Sequence, residues 1–104
     1  MFKFEFFDLG YTYKYNGGCA TSTESYPTSI ISQNKDSTEA CYSLCEATSN
    51  CKYFEYDSSG SRCHLHPSGI TQGNGYPNVK CYKMNEINGE YTYSYWNMYT
   101  SWDL

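Results

Sequence analysis

Six cysteines constrain this chain more than any other feature of its sequence, because cross-links limit how so short a polypeptide can fold. In a chain of 104 residues they are Cys19, Cys41, Cys45, Cys51, Cys63 and Cys81. A small domain buries a modest share of its surface and often needs covalent help to fold. An even number of cysteines in a short chain predicts a disulfide framework, which forms in an oxidising compartment. We therefore expect an extracellular or secreted protein.

Zinc binding is the alternative for these cysteines. Cys41 and Cys45 have the spacing of a zinc-ligand pair, but the three later cysteines stand alone, and structural zinc sites favour two such pairs. Two histidines, His64 and His66, follow Cys63. Residues 63, 64 and 66 of a strand do not all point toward one metal ion, so we predict no metal site. We interpret the two histidines as exposed strand residues.

The N-terminal segment has the alternation of β-strands. Aromatic residues recur with a period of two at Phe2, Phe4, Phe6, Tyr11, Tyr13 and Tyr15, which predicts two strands. Asn16-Gly17 follows and is typical of a tight hairpin turn, because such turns need positive φ angles. We predict that this turn folds residues 11–15 back onto residues 18–22. Residues 20–35 are rich in Ser and Thr and predict a loop with one short strand near Ile30-Ile31.

One helix is predicted near the middle of the chain. Asp36 is a candidate N-cap, and Glu39 three residues later completes a capping box. The helix should span residues 38–48, because Ala40, Cys41, Leu44, Cys45 and Thr48 then share one face. Asn50 is the expected stop.

The second half of the chain reads as strands and turns. Residues 52–57 and 62–66 predict a strand pair around a turn at residues 58–60, and Pro67 ends the second strand. Residues 67–78 predict a loop, and residues 78–84 another strand. Asn88-Gly89 is a second hairpin signal, followed by an alternating strand over residues 90–99.

The cysteine pattern, taken with its aromatic surroundings, resembles the PAN/Apple domain family. The resemblance rests on Cys41-x3-Cys45 on a helix, then Cys51, an aromatic strand over residues 52–56, and Cys63-His64-Leu65 after a turn. It covers residues 19–83. It implies an α+β fold, in which one helix packs on a small antiparallel sheet held by disulfides. Carried onto this chain, the implied pairs are Cys41–Cys63, Cys45–Cys51 and Cys19–Cys81.

The resemblance also implies a non-catalytic module that recognises proteins or carbohydrates. Some members bind heparin through basic residues, but here the basic group is small and the net charge is −4. That group is Lys52, Arg62, Lys80 and Lys83.

Several function classes are excluded by the residues themselves. No catalytic triad, metal constellation or phosphate-binding glycine loop is present, so we predict neither an enzyme nor a cofactor. The acidic balance lacks the basic patch of a nucleic-acid-binding protein. No apolar run approaches the ~20 residues of a membrane span. Asp8 and Gly10 interrupt any apolar segment of the signal-peptide kind, so we expect a mature or incomplete form of a secreted protein.

Aromatic residues concentrate outside the region of resemblance. Of 20 aromatic residues, 13 lie in residues 1–15 and 91–102. We therefore divide the chain into an aromatic N-terminal strand extension (1–18), a PAN/Apple-like core (19–87) and an aromatic C-terminal strand extension (88–104). Residues 91–102 contain neither Lys nor Pro, which native proteins use to block exposed sheet edges.

Two functions remain open from the sequence. The first is a self-assembling structural subunit, such as a fibre or surface appendage, in which copies of the chain join through aromatic strands. The second is a monomeric adhesion module that binds carbohydrate or another extracellular protein. The predicted assembly or binding residues are Phe2, Phe4, Phe6, Tyr11, Tyr13, Tyr15, Tyr91, Tyr93, Tyr95, Trp96, Tyr99 and Trp102.

Overall fold

A computed structural model describes residues 10–86 of the chain. Within them are one helix and seven strands: β1 (Tyr11–Asn16), β2 (Cys19–Ala20), β3 (Ile31–Asn34), α1 (Thr38–Glu46), β4 (Tyr53–Asp57), β5 (Arg62–His66), β6 (Gln72–Gly73) and β7 (Val79–Met84). Five strands form an antiparallel sheet in the order β1-β7-β4-β5-β3, and β2 pairs with β6 in a second, two-stranded sheet. The predicted α+β fold with one helix and an antiparallel sheet is confirmed.

The helix starts where the sequence predicts, with a different cap. Ser37 is the N-cap, and its hydroxyl accepts a hydrogen bond from the Ala40 backbone N–H at 3.1 Å. Asp36 is one residue too far from the first helical residue to bond that N–H group, so its prediction as the cap is wrong. The helix ends at Glu46, two residues before the predicted end.

The predicted hairpin at Asn16-Gly17 is wrong. β1 pairs with β7, with Tyr13 opposite Tyr82 and a register shift before Tyr15, and it does not pair with residues 18–22. Gly17 does adopt a positive φ of 91°, but its turn leads the chain out of the main sheet. β2 then meets β6, because the partner of a strand is decided by distant residues as well as by its own turn.

Two hydrophobic clusters lie on opposite faces of the main sheet. Under the helix, alternate residues of β4 and β5 are buried with half-cystines of α1; the buried members are Cys41, Cys45, Cys51, Phe54, Tyr56, Cys63 and Leu65. On the other face, Cys19, Ile70 and Cys81 are buried, with Tyr15 and Tyr53 packed against them. The sheet is therefore covered by the helix on one side and by the β2–β6 layer on the other.

Three disulfides hold these layers together, in the pairs that the family resemblance implies. Cys41–Cys63 joins α1 to β5, and Cys45–Cys51 closes the segment after the helix. Cys19–Cys81 joins β2 to β7, across a sequence separation of 62 residues. With no free cysteine in the chain, no thiolate remains for zinc, and the zinc alternative is overturned.

Candidate functional site

A row of polar side chains lies on the sheet face turned away from the helix. Phe54 and Tyr56 of β4 point to the helix side, so the alternation of the strand turns Glu55 and Asp57 to the other face. In the register of β4 and β5, Glu55 lies opposite His64. Acidic and imidazole groups are thereby placed side by side on the floor of a cleft.

Glu55 and His66 form a buried pair. His66 is only 2% exposed, and its Nε2 lies 3.0 Å from Glu55 Oε1. The same carboxylate oxygen accepts a hydrogen bond from the Cys19 backbone N–H at 2.8 Å. His66 Nδ1 has no hydrogen-bond partner among residues 10–86, so we assign the ring proton to Nε2, which donates to Glu55. The pair ties the β2 layer to the main sheet.

His64 is half-buried beside this pair. Its Nδ1 is hydrogen-bonded to Ser32 Oγ at 2.7 Å. Burial lowers the pKa of His64, and the nearby cationic forms of His66 and Arg62 lower it further, whereas Glu55 and Asp57 act in the opposite direction. The imidazole of His64 is therefore neutral at neutral pH.

The histidine interpretation from the sequence is corrected by these positions. His66 is buried and His64 is half-buried, so they are not exposed strand residues. The segment of residues 17–30, which includes β2, lies over this face of β4 and β5 and contacts Glu55, His64 and His66. Nothing in the period of β5 indicates that cover, because the covering residues are distant in the chain.

Asn74 shapes the walls of the cleft. Its Oδ1 accepts hydrogen bonds from the backbone N–H groups of Gly18 (2.8 Å) and Tyr76 (3.0 Å), and its Nδ2 donates to the Ser25 carbonyl (3.0 Å). One side chain thus joins three segments. A Cβ on Gly18 would lie 3.0 Å from both Asn74 Nδ2 and Glu55 Oε2, so glycine permits this close approach.

Two tyrosines stand at the rim of the cleft. Tyr26 is 74% exposed and Tyr76 is 55% exposed. Their ring centroids lie 6.4 Å apart, with the planes at 84° to each other, which is an edge-to-face arrangement. Asn74 bonds the carbonyl of Ser25, which directly precedes Tyr26, and the backbone N–H of Tyr76 itself. The two exposed rings therefore lie on segments that hydrogen bonds hold in place.

The cleft consists of two adjoining parts of about 310 Å³ and 170 Å³. Both are lined by Tyr26, Glu55, His64 and Asn74. His66 lines the larger part, and Asp57 and Tyr76 line the smaller. Another cleft, of about 840 Å³, is lined in part by Lys52, Lys83 and Glu86. It borders the end of the described residues, so we place the candidate site in the Tyr26–Tyr76 cleft.

One group of side chains has the spacing of metal ligands. Among the described residues, the ligand atoms of Cys19, Glu55 and His66 lie within 4.8 Å of one another. However, the Cys19 sulfur is bonded to Cys81 and is not a thiolate. Glu55 and His66 alone are fewer than the three protein ligands of a catalytic zinc site.

The predicted assembly residues are divided by the structure. Tyr11 packs against Tyr42 and Phe54 under the helix face, and Tyr15 packs on the opposite cluster, whereas Tyr13 is 50% exposed. The other nine lie outside the described residues, as does the Asn88-Gly89 hairpin; they are Phe2, Phe4, Phe6, Tyr91, Tyr93, Tyr95, Trp96, Tyr99 and Trp102.

The sequence reasoning missed the residues that form the cleft. Tyr26, Asn74 and Tyr76 lie in two segments that the sequence predicts only as loops. Their sole local signal is an aromatic or amide residue next to proline or glycine. That signal indicates a turn but does not show that two turns meet.

Comparison with known proteins gives one result. A family model described as the PAN domain matches residues 13–89, which is most of the chain. Comparisons with curated proteins and with solved structures gave no match. Within residues 10–86, no helix combines the length and the apolar character needed to cross a membrane.

Proposed function

Because the chain belongs to the PAN domain family, we propose that it is an extracellular, non-catalytic module that binds its ligand in the Tyr26–Tyr76 cleft. The family and the three disulfides indicate an extracellular module for protein or carbohydrate interactions. We assign that general role to the Tyr26–Tyr76 cleft.

The observation that carries this proposal is an exposed pair of tyrosines on segments that are held in place before a ligand arrives. Tyr26 and Tyr76 flank the cleft, and the three hydrogen bonds of Asn74 secure the chain beside both. Tyrosine is favoured at binding surfaces because its ring is apolar and its hydroxyl can bond. Walls fixed in advance reduce the entropy that a ligand must remove on binding.

A ligand screen with matched variants tests the proposal. The full chain is screened against arrays of glycans and of extracellular protein domains, and each hit is measured again with Tyr26→Ser combined with Tyr76→Ser. We expect the hit to lose at least tenfold in affinity, roughly what truncation of a central aromatic anchor costs. Tyr13→Ser on β1 is the control, since it removes an exposed tyrosine elsewhere. Equal losses in the two variants would contradict the assignment of the cleft.

Self-association is a second candidate, favoured by where the two aromatic flanks join the domain. The Asn85 backbone N–H donates to the Gly10 carbonyl at 2.9 Å, and Tyr11 lies opposite Met84. The first and last described residues therefore lie at one corner of the sheet. At that corner, β1 is an edge strand, and no other strand of residues 10–86 pairs with its outer side. A free edge of this kind accepts a strand from another chain.

A shared corner also bears on the type of assembly. If two copies meet through this corner, the same patch is used on each copy, and such an isologous contact closes as a dimer. A fibre or surface appendage additionally needs a second, different patch. We therefore propose the dimer as the first product of self-association, through the aromatic residues of the flanks and Tyr13.

Sedimentation velocity of the full chain over a wide concentration range tests this candidate. We expect a dimer that Phe2→Ser, Phe4→Ser and Phe6→Ser together convert to monomer, because these changes remove apolar surface from the flank. Tyr26→Ser is the control and should leave the dimer intact. A chain that stays monomeric at the highest concentration would rule out self-association and leave the cleft proposal untouched.

A further inference from the structure

We infer that the Tyr26–Tyr76 cleft takes a cationic side chain, an arginine or a lysine, that projects from a partner protein. This inference rests on the proposed function, because it names the chemistry of the ligand for the same cleft. It is carried by the charges on the cleft floor, by the hydrogen-bonding groups that the cleft offers, and by the two rings at its rim.

The charge on the floor is negative. Glu55 and Asp57 both line the smaller part of the cleft, and no lysine or arginine of the described residues lines either part. Arg62 lies on the same sheet face, but its Nη1 donates to Asn34 Oδ1 at 2.7 Å, toward edge strand β3. Lys80 is opposite Tyr56 in the register of β7 and β4 and so belongs to the helix side. Arg62 lies opposite Asp57 in the register of β4 and β5, but its guanidinium is exposed and bonded to Asn34, and it does not line the cleft.

The two acids are not equally free. Glu55 is hydrogen-bonded to His66 and to the Cys19 N–H, and its side chain is 16% exposed. Asp57 uses Oδ1 to accept from Ser59 and Gly60 in the turn after β4. The Ser59 hydroxyl and the two backbone N–H groups lower the pKa of Asp57, so this carboxylate is ionised at neutral pH, and it lines the smaller part of the cleft.

The charged groups of the cleft are hydrogen-bond acceptors. Glu55 and Asp57 line its smaller part, and an ionised carboxylate accepts hydrogen bonds without donating any. The side-chain amide of Asn74 is already hydrogen-bonded, through its oxygen to the N–H groups of Gly18 and Tyr76 and through its nitrogen to the Ser25 carbonyl. Arginine and lysine are donors without acceptors, so they complement this set. An anionic sugar would bring more acceptors and like charge.

The two tyrosine rings at the rim of the cleft also attract a cation. A guanidinium or ammonium group is drawn to the face of a tyrosine ring, and arginine also stacks on such rings. Tyr26 and Tyr76 present two rings at 84° to each other beside the carboxylates. A neutral ligand that covered the carboxylates would leave them desolvated without an opposite charge, which is costly. A cation offsets that cost.

The test compares a cation with its neutral isostere. ¹⁵N-labelled full-length protein is titrated at low salt with Nα-acetyl-arginine amide and, separately, with the citrulline analogue, which has nearly the same shape without the charge. We expect the arginine probe to shift the backbone signals of Tyr26, Glu55, Asn74 and Tyr76, with at least tenfold weaker binding of citrulline. Added salt should weaken the arginine probe, because screening acts on charges at the surface.

Charge-neutralising variants localise the effect. Asp57→Asn keeps an oxygen for the turn and should weaken the arginine probe severalfold; Glu55→Gln, which can still accept from Cys19, should do the same. Glu39→Gln on the exposed side of α1 makes the same change in net charge and should leave binding unchanged. Signal dispersion in each spectrum shows whether the variant is folded. If Glu55→Gln does not fold, the comparison of Asp57→Asn with Glu39→Gln is sufficient for the test.

Each contrary result has a distinct meaning. Equal binding of arginine and citrulline, or an equal effect of Glu39→Gln and Asp57→Asn, overturns the cationic ligand. Shifts in the cleft with neutral methyl glycosides but not with arginine overturn it too, while the cleft remains a ligand site. Shifts confined to the helix face with every probe overturn both the inference and the proposed function.

Discussion

Removal of the Cys19–Cys81 disulfide is expected to destabilise the protein more than removal of the shorter Cys45–Cys51 bridge. The two cross-links close loops of very different length, with sequence separations of 62 and 6 residues. In the chain-entropy model, loops of these lengths contribute about 4 and about 2 kcal/mol to the free energy of unfolding. A small domain has a total of about 5–15 kcal/mol, so the difference is large enough to measure.

The perturbation replaces both cysteines of one bridge with alanine. Each of the four residues is buried, so the matched double substitutions remove similar side chains from similar surroundings. Urea unfolding followed by circular dichroism gives the free energy of unfolding of both variants and of the parent chain. The Cys19→Ala, Cys81→Ala variant should lose about 2 kcal/mol more than the Cys45→Ala, Cys51→Ala variant. Equal losses, or the opposite order, would refute the loop-length reasoning for this domain.

Three further outcomes are expected. Asn74→Ala removes three hydrogen bonds that join the cleft walls, so it should weaken ligand binding in the same assay and increase backbone motion of Tyr26 and Tyr76 in ¹⁵N relaxation; unchanged binding and motion would contradict the role of Asn74. Ser37→Ala removes the N-cap bond and should cost about 1 kcal/mol in urea unfolding, whereas Asp36→Ala should cost much less. Burial lowers the pKa of His64 from its ordinary value of 6.5, so on acidification the unfolded chain is protonated at this residue before the folded chain, and the stability should fall as the pH drops below that value. His64→Gln should reduce the slope of the urea midpoint against pH, and an unchanged slope would show that His64 is not the cause.

The helix and the β4–β5 pair were predictable because their signals are local. Strand β5 spans residues 62–66, as its pattern and the following Pro67 predict. Helix α1 begins at Thr38 as predicted, since the cap and the face of Cys41 and Cys45 lie within a few residues of each other. The error at its cap is a shift from Asp36 to Ser37, two neighbours that can both cap a helix.

The pairing of β1 was not predictable from its own residues. Asn16-Gly17 is a good hairpin signal, and Gly17 does turn with positive φ. Yet β1 buries more aromatic surface beside β7 than it would in a local hairpin, because Tyr11 there packs between Tyr42, Phe54 and Tyr82. A local turn signal cannot report that gain, because the aromatic partners come from the helix and two distant strands.

By itself, the sequence determined the class of this protein: its cysteine spacing and flanking aromatic residues identify an α+β domain of the PAN family held by disulfides. Those signals depend on short spacings along the chain, so they can be recognised without knowledge of the whole fold. Only the tertiary structure decided that His66 is buried, that β1 joins β7, and that Tyr26 and Tyr76 meet over Glu55. These features depend on contacts between residues that are distant in the chain, such as Tyr11 with Met84 and Tyr26 with Tyr76. Such contacts form only when the complete set of buried surfaces, hydrogen bonds and cross-links is satisfied together.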